Sequence, residues 1–380
     1  MKKTMIAGIL AATLTGAVHA QSSNVQIYGL IDTGVIGASN SGTANGQVNA
    51  VVSGIHSASH LGFRGTEDLG GGLKAGFKIE SQIQADDGSN GKSNSTGSAN
   101  NTFARGVSVN LADASWGRVE IGRQDNAAWS TYSSLDARRH SNFGGNPVML
   151  SDGSSFGGTA TSKTGLNRYT GGSHVSQAIR YDTPTFAGFN ATYARMFGNV
   201  AGDDSKSAAD QYVVRYDNKG MVFGALGYYN TNASTGLSQG RNNFAGVGVR
   251  ATKDLTLMAN RWNMENPNGA GAANTKFELT SAGARYQINP KLEASYGFYQ
   301  LKDKVTSSNG SDLNSAGLMY SLSPRTTLLA MYSMVKNKGT SGFAAWGGGG
   351  SNLNTLSHSY GLAAAGSSQS AYAVGIRHSF

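Results

Sequence analysis

No cysteine occurs in the 380 residues, and proline occurs only 5 times. The first absence leaves no disulfide to brace the chain, so its stability rests on non-covalent structure. The second leaves few residues that would interrupt a β-ladder for want of an N–H donor. Acidic residues are sparse as well, 22 against 31 Lys and Arg, and charged residues make up only 14% of the chain. Beyond the N-terminus no apolar run approaches the ~20 residues that a membrane-spanning helix needs. What is plentiful is glycine, with 53 residues, as tight turns require.

The opening "MKKTMIAGILAATLTGAVHA" joins a basic start (Lys2, Lys3) to an apolar run from Met5 to Leu14 and a small-residue site at Val18-His19-Ala20. This is the pattern of a cleaved secretory signal peptide over 1–20, which leaves 21–380 as one domain. Without Lys2 and Lys3, 29 basic side chains face 22 acidic ones. An exported chain with no spanning helix is periplasmic, secreted, or a β-barrel of the outer membrane.

Strict two-residue alternation decides among these. The closing "SAYAVGIRHSF" sets Tyr372, Val374, Ile376 and Phe380 on one parity, with His378 the only polar member; Ala371, Ala373, Gly375, Arg377 and Ser379 form the other. One apolar and one wet face mark a strand. Similar segments recur at 24–36, 55–66, 72–84, 101–112, 116–124, 174–183, 186–197, 208–218, 220–231, 242–252, 254–265, 276–288, 291–302, 311–322, 325–337 and 370–380. These sixteen antiparallel strands, an even number, allow the last to pair with the first and close an all-β transmembrane barrel without a free edge. Tight turns such as "DNKG", "TKD" and "INPK" alternate with long Gly/Ser/Asn-rich loops, chiefly 125–173 and 338–369. Short turns at one rim and long loops at the other belong to outer-membrane barrels. Tyr28, Tyr181, Tyr193, Tyr216, Tyr228, Tyr286, Tyr296, Tyr320, Tyr332 and Tyr372, near strand ends, suit girdles at headgroup depth.

With "VQIYGLIDTGV", "SHLGFRGTEDLGGGLKAGFKIE", "GRVEIGRQ", "IRYDTPTFAGFNATYA" and "YAVGIRHSF" in order, the chain resembles the general diffusion porins of β-proteobacteria. The resemblance implies a sixteen-stranded barrel, a homotrimer, and passive passage of small hydrophilic solutes and ions. It also implies that the terminal strand (Tyr372, Val374, Ile376, Phe380) is read by the outer-membrane assembly machinery. The alternatives are a substrate-specific porin for sugars or phosphorylated anions, and an outer-membrane hydrolase or adhesin.

In such porins the third long loop folds into the barrel and faces a basic ladder on the wall. The loop here is 125–173, with Asp125, Asp136 and Asp152 as its acids and Arg138, Arg139 and His140 beside Asp136. The wall positions fall on His60, where the family commonly has Arg, and on Arg64, Arg105 and Arg180. Arg105 shares parity with apolar Val107, Val109 and Leu111, so its inward placement requires a bulge or inward apolar residues. Opposed charges across a narrow aqueous gap create a transverse field. The basic run in the loop and the positive balance together point to anion preference.

Catalytic and cofactor signals are weak. Gly153-Ser154-Ser155-Phe156-Gly157 has the nucleophile-elbow spacing but sits in a Gly/Ser-rich loop rather than between strand and helix. The histidines show no metal-ligand spacing, and "GGGLKAG" lies between a turn and a strand. We expect no cofactor or metal, no enzyme activity and no nucleic-acid partner; lipid and lipopolysaccharide are the expected surroundings.

Overall fold

The computed structural model describes residues 24–41, 46–89, 102–145, 172–268, 275–346, 363 and 365–380. The expected signal peptide, Asp152 and the segment 153–157 lie outside these. Seventeen strands follow in order: β1 (Asn24–Ser41), β2 (Gly46–Ser53), β3 (His60–Gly70), β4 (Leu73–Gln82), β5 (Gly106–Asp113), β6 (Gly117–Asp125), β7 (His174–Asp182), β8 (Phe189–Met196), β9 (Ala209–Asp217), β10 (Val222–Asn232), β11 (Ser238–Arg250), β12 (Leu255–Asn266), β13 (Thr275–Asn289), β14 (Leu292–Asp303), β15 (Gly310–Ser321), β16 (Thr326–Lys338) and β17 (Ser368–Ser379). A helix, α1 (Ala127–Leu135), follows β6.

Each strand from β3 onward pairs antiparallel with the next, and β17 returns to β1 from Leu30↔Ser379 to Ala38↔Ala371. The sheet is a closed barrel. It has sixteen wall positions although seventeen strands build it, because the second position is split. β2 pairs with β1 from Thr33 to Ser41, and β3 takes over from Asn24 to Leu30. Between them the chain leaves the ladder at Gly54 (φ +76) and turns inward. The Asp32 carboxylate holds that turn, accepting the backbone N–H of Ile55 (2.9 Å), His56 (3.1 Å) and Ser57 (2.9 Å). The expectation of one strand over 55–66 is corrected accordingly: an acid on the neighbouring strand breaks it.

Along the outer face alternation reads the wall faithfully. Val25, Ile27, Val109, Ile121, Leu226 and Val374 stand outward and exposed, as lipid-facing side chains must. Three successive glycines with positive φ (Gly70, Gly71, Gly72) make the β3–β4 hairpin at the short-turn rim. Tyr28 departs from the expected girdle. Its hydroxyl donates inward to Glu80 (2.7 Å), and Arg64 lies over its ring.

The barrel closes on a fitted terminus. Gly29 and Phe380 exchange both backbone hydrogen bonds at 3.1 Å. A Cβ on Gly29 would stand 2.3 Å from the Phe380 ring, so the glycine is the seat of that aromatic. Gly37 seats Tyr372 in the same way further along the seam.

The inner face of β11–β16 is not polar throughout. Phe244, Trp262, Met264, Phe277, Leu279, Tyr299, Leu301, Leu313, Met331 and Val335 are buried there in one cluster with Tyr132 of α1, Phe143, Phe343 and Trp346. Loop segments fold into the barrel and cover this apolar wall.

Candidate functional site

α1 begins at the lumen wall because Asn126 caps it, its side chain accepting from Trp129 N–H (3.1 Å). The helix then crosses into the barrel on side chains sized for the purpose. Tyr132 packs edge-on to Trp262 (3.5 Å) and Phe244 (5.0 Å), and Asn260 donates to the Leu135 carbonyl (3.0 Å). Arg215 from β9 reaches Thr131 Oγ1 (2.8 Å) and the Ala127 carbonyl (3.2 Å). Each aromatic pair adds roughly 0.5–1.5 kcal/mol beyond its buried area.

Past α1 the chain turns along β14–β16. Asp136 accepts from the backbone N–H of Arg138 and His140 (3.0 Å each) and from the Tyr299 hydroxyl (2.6 Å). Arg138 is itself buried. Its guanidinium donates to Ser315 Oγ (3.1 Å) and Ser295 Oγ (2.5 Å), and burial pulls it below its ordinary value. It fits because Gly317 has no side chain: a Cβ there would lie 2.0 Å from Nη1. Arg139 instead projects into water, half exposed, and grips Glu293 of β14 with Nε at 3.0 Å and Nη2 at 2.5 Å. Asn142 docks on the broken second strand. Its side-chain amide donates to the Gly54 carbonyl (2.9 Å) and its backbone N–H to that of His56 (3.1 Å). The loop therefore spans the lumen from β6 to β14–β16 and back toward β2–β3.

His140 sits at the elbow, edge-on to Trp129 at 4.5 Å. Neither ring nitrogen has a hydrogen-bond partner among the described residues, and burial pulls its pKa from 6.5 down to about 4. His56, on the opposing segment, is pulled to about 3 for the same reason.

The sequence-derived residues divide by surroundings. Arg64 is exposed in the lumen, stacked on Tyr28 and bonded to Gln26 (3.1 Å). His60 stands beside them, its Nδ1 2.9 Å from the Ala58 carbonyl. Arg105 precedes the first residue of β5, so strand parity does not bind it; it turns inward onto Glu80. Arg180 points inward and is paired with Asp182 (2.8 Å). Asp125 is the last residue of β6 rather than part of the loop, and it pairs with Lys78 of the wall (2.8 Å) and His174 (3.2 Å). Asp136 and Arg138 are buried fastenings of the loop, whereas Arg139 faces water.

Lumen cations not singled out from sequence include Lys78, Arg118, Arg215, Arg285 and Arg377. All sit on the inward parity of their strands, so a parity count would have found them. Arg285 lies within electrostatic range of Arg139 and Glu293, and Arg377 within range of Asp32 and Arg139. Neither guanidinium is hydrogen-bonded or ion-paired among the described residues.

A closed sheet with an apolar outer band and a loop laid across a charged lumen defines a membrane-spanning channel. The sequence matches the Gram-negative porin family over residues 7–340. It is 30% identical over 394 residues to outer membrane porin protein 32 of Delftia acidovorans, covering 100% of both chains. To an outer membrane porin protein of Bordetella pertussis it is 29% identical over 269 residues, covering 67% of this chain and 63% of that one. Among solved structures, the anion-selective porin from Comamonas acidovorans superposes with a TM-score of 0.75 at 26% identity, over 94% of this chain and 100% of the other. The trimer form of OmpT from Vibrio cholerae, at 14% identity and a TM-score of 0.61 over 94% and 99% of the chains, shares the fold. The chain belongs to the Gram-negative porin family. It is a channel protein of the bacterial outer membrane.

Proposed function

We propose that this porin is a homotrimeric, passive pore for small hydrophilic solutes that prefers anions and performs no catalysis. One observation carries the sign: around the loop every described acid is spoken for, while several cations are not. Glu80 is held by Arg105, Glu120 by Arg118, Asp125 by Lys78, Asp182 by Arg180 and Glu293 by Arg139. Asp32 is held by backbone N–H groups, and Asp136 by backbone and the Tyr299 hydroxyl. Arg64, Arg215, Arg285 and Arg377 have no carboxylate within ion-pair distance among the described residues. Low-dielectric walls focus that residual positive potential on the water path. The preference agrees with the description of the Comamonas relative as anion-selective, and the trimer with that of the Vibrio one.

The test is single-channel recording of the refolded mature chain in a planar bilayer under a KCl gradient. Triplet conductance steps and a reversal potential of chloride sign support the reading. Potassium preference refutes the charge assignment, and absence of conductance from a folded barrel refutes the open pore.

A further inference from the structure

The inward loop and the wall meet on glycines. A Cβ on Gly283 would stand 2.6 Å from Ala137 Cβ, as one on Gly317 would stand 2.0 Å from Arg138 Nη1. Ala137 and Arg138 are thus seated directly on β13 and β15. The next two residues, Arg139 (φ +54) and His140 (φ +58), are both left-handed, a conformation that side chains disfavour. Asp136 holds this turn through the N–H groups of Arg138 and His140. The turn delivers the Arg139 side chain to Glu293, two residues from Ser295 toward the short-turn end of β14.

Their contact is bidentate, Nε and Nη2 of Arg139 donating to the two Glu293 oxygens. Both oxygens face the guanidinium, and the Glu293 side chain is 14% exposed against 48% for Arg139. A solute therefore meets the cation of this pair rather than the anion. The Nη1 edge of Arg139 has no partner among the described residues. Arg285 stands beside the pair. It opposes Ser295 in register, which makes Glu293 its diagonal neighbour on the same face, roughly 7–8 Å away. Its guanidinium is unbonded among the described residues and within electrostatic range of Arg139. The other charges nearby are committed. Asp136 and Arg138 are buried in the fastenings of the loop, and Asp32, near Arg377, is held by backbone N–H groups. Two guanidiniums and one carboxylate leave a single positive charge, so the arrangement of donors matters more than the excess.

We propose that Glu293 is a positioning residue for oxyanion recognition: it holds Arg139 so that the free Nη1 edge and the Arg285 guanidinium form one site for a sulfate-, phosphate- or carboxylate-bearing solute. Planar guanidiniums match oxyanions edge to edge, a geometry that spherical chloride does not use. A carboxylate in the path of anions thus promotes their binding instead of opposing it. The proposal rests on the anion-preferring reading above and adds which residue sets the preference among anions.

The refolded mature chain is recorded in planar bilayers in KCl with increasing potassium sulfate, and the sulfate concentration that halves the chloride current is measured. Releasing Arg139 returns most of its rotamer freedom, worth about tenfold in affinity. E293Q should therefore raise the half-blocking concentration about tenfold although it removes a negative charge, and R285Q should raise it as well. In an R139Q background E293Q should lower it or leave it unaltered, because only the charge then counts. Absence of sulfate block in the native chain, or a value unchanged or lower in E293Q, overturns the proposal. So does an unchanged value in R285Q. An equal rise on adding E293Q to R139Q overturns it too, because Glu293 then acts on the fold. A rise in open-channel noise with E293Q, the mark of an undocked loop, assigns Glu293 to fastening and has the same force. Heat-modifiable mobility confirms folding of each variant. The reversal potential of the native chain in a KCl gradient judges the underlying reading separately. Potassium sign refutes the anion preference, whereas chloride sign with any of the overturning results refutes the role of Glu293 alone.

Discussion

Replacing Gly317 with alanine should loosen the docked loop more than removing the arginine it accommodates. In the native protein Arg138 donates to Ser295 and Ser315 from a buried position against Gly317. Hydrogen bonds from a charged donor are worth roughly 1.5–3 kcal/mol each, and dehydrating a guanidinium costs several kcal/mol. R138A loses the bonds and the dehydration cost together, so the net loss of docking should be about 1–2 kcal/mol. G317A is different. Its new Cβ would lie 2.0 Å from Nη1, forcing the guanidinium from its partners while the charge stays in the protein. Breaking a buried charged group from its partners costs roughly 3–5 kcal/mol. The double variant R138A/G317A removes the clash and should return to the level of R138A. The assay is single-channel recording. Undocking of 136–145 should raise current noise and mean conductance in the order wild type, R138A, G317A, with the double variant beside R138A. If G317A records like wild type, or the two changes simply add, the latch is not what holds the loop.

Three other outcomes follow from the same geometry. Burial holds the pKa of His140 near 4 instead of 6.5, so the docked loop favours its neutral form. Docking should be at full strength above pH 6.5 and weaken as pH falls toward 4; conductance noise should rise over that window, and H140F should flatten the response. R285E/R377E should move the reversal potential toward cations by more than R64E/R180E, because Arg180 is already paired with Asp182; an equal or smaller shift refutes the assignment of residual charge. Finally, G29V should displace the Phe380 ring from its seat and lower the folded yield at least as much as F380A. Heat-modifiable gel mobility reads this, and normal folding of G29V refutes the seat.

Legibility tracked how locally each feature is specified. Alternation at β17 or β1 is written in adjacent residues, so the wall and its closure could be read directly. The break at 54–59 could not. It is imposed by Asp32, more than twenty residues away in sequence, and nothing in "VVSGIHSASH" announces a carboxylate waiting across the ladder. Arg105 looked misplaced by parity until the start of β5 at Gly106 removed the constraint. The inward Phe244, Trp262 and Leu279 were hidden for the opposite reason, since a wall covered by a loop is apolar on both faces and alternation loses contrast there. Within the site, residue types were readable but pairing was not. Lys78 meets Asp125 across 47 positions and Arg138 meets Ser315 across 177, and these partnerships decide which charges a solute encounters.

The loop tip has an electrical consequence. Where a porin loop is acidic and its wall basic, a zwitterion entering the narrows feels a torque and is turned to align with the field. Here Arg64, Arg215, Arg285 and Arg377, on β3, β9, β13 and β17, present the same sign from different sides, while Arg139 on the loop is tied to Glu293 and the other carboxylates lie drawn into bonds. Such a passage behaves as a well rather than a capacitor. On the charge assignment proposed above, it would concentrate small anions along its axis whatever their orientation, and it would give no advantage to a solute for carrying its two charges at opposite ends.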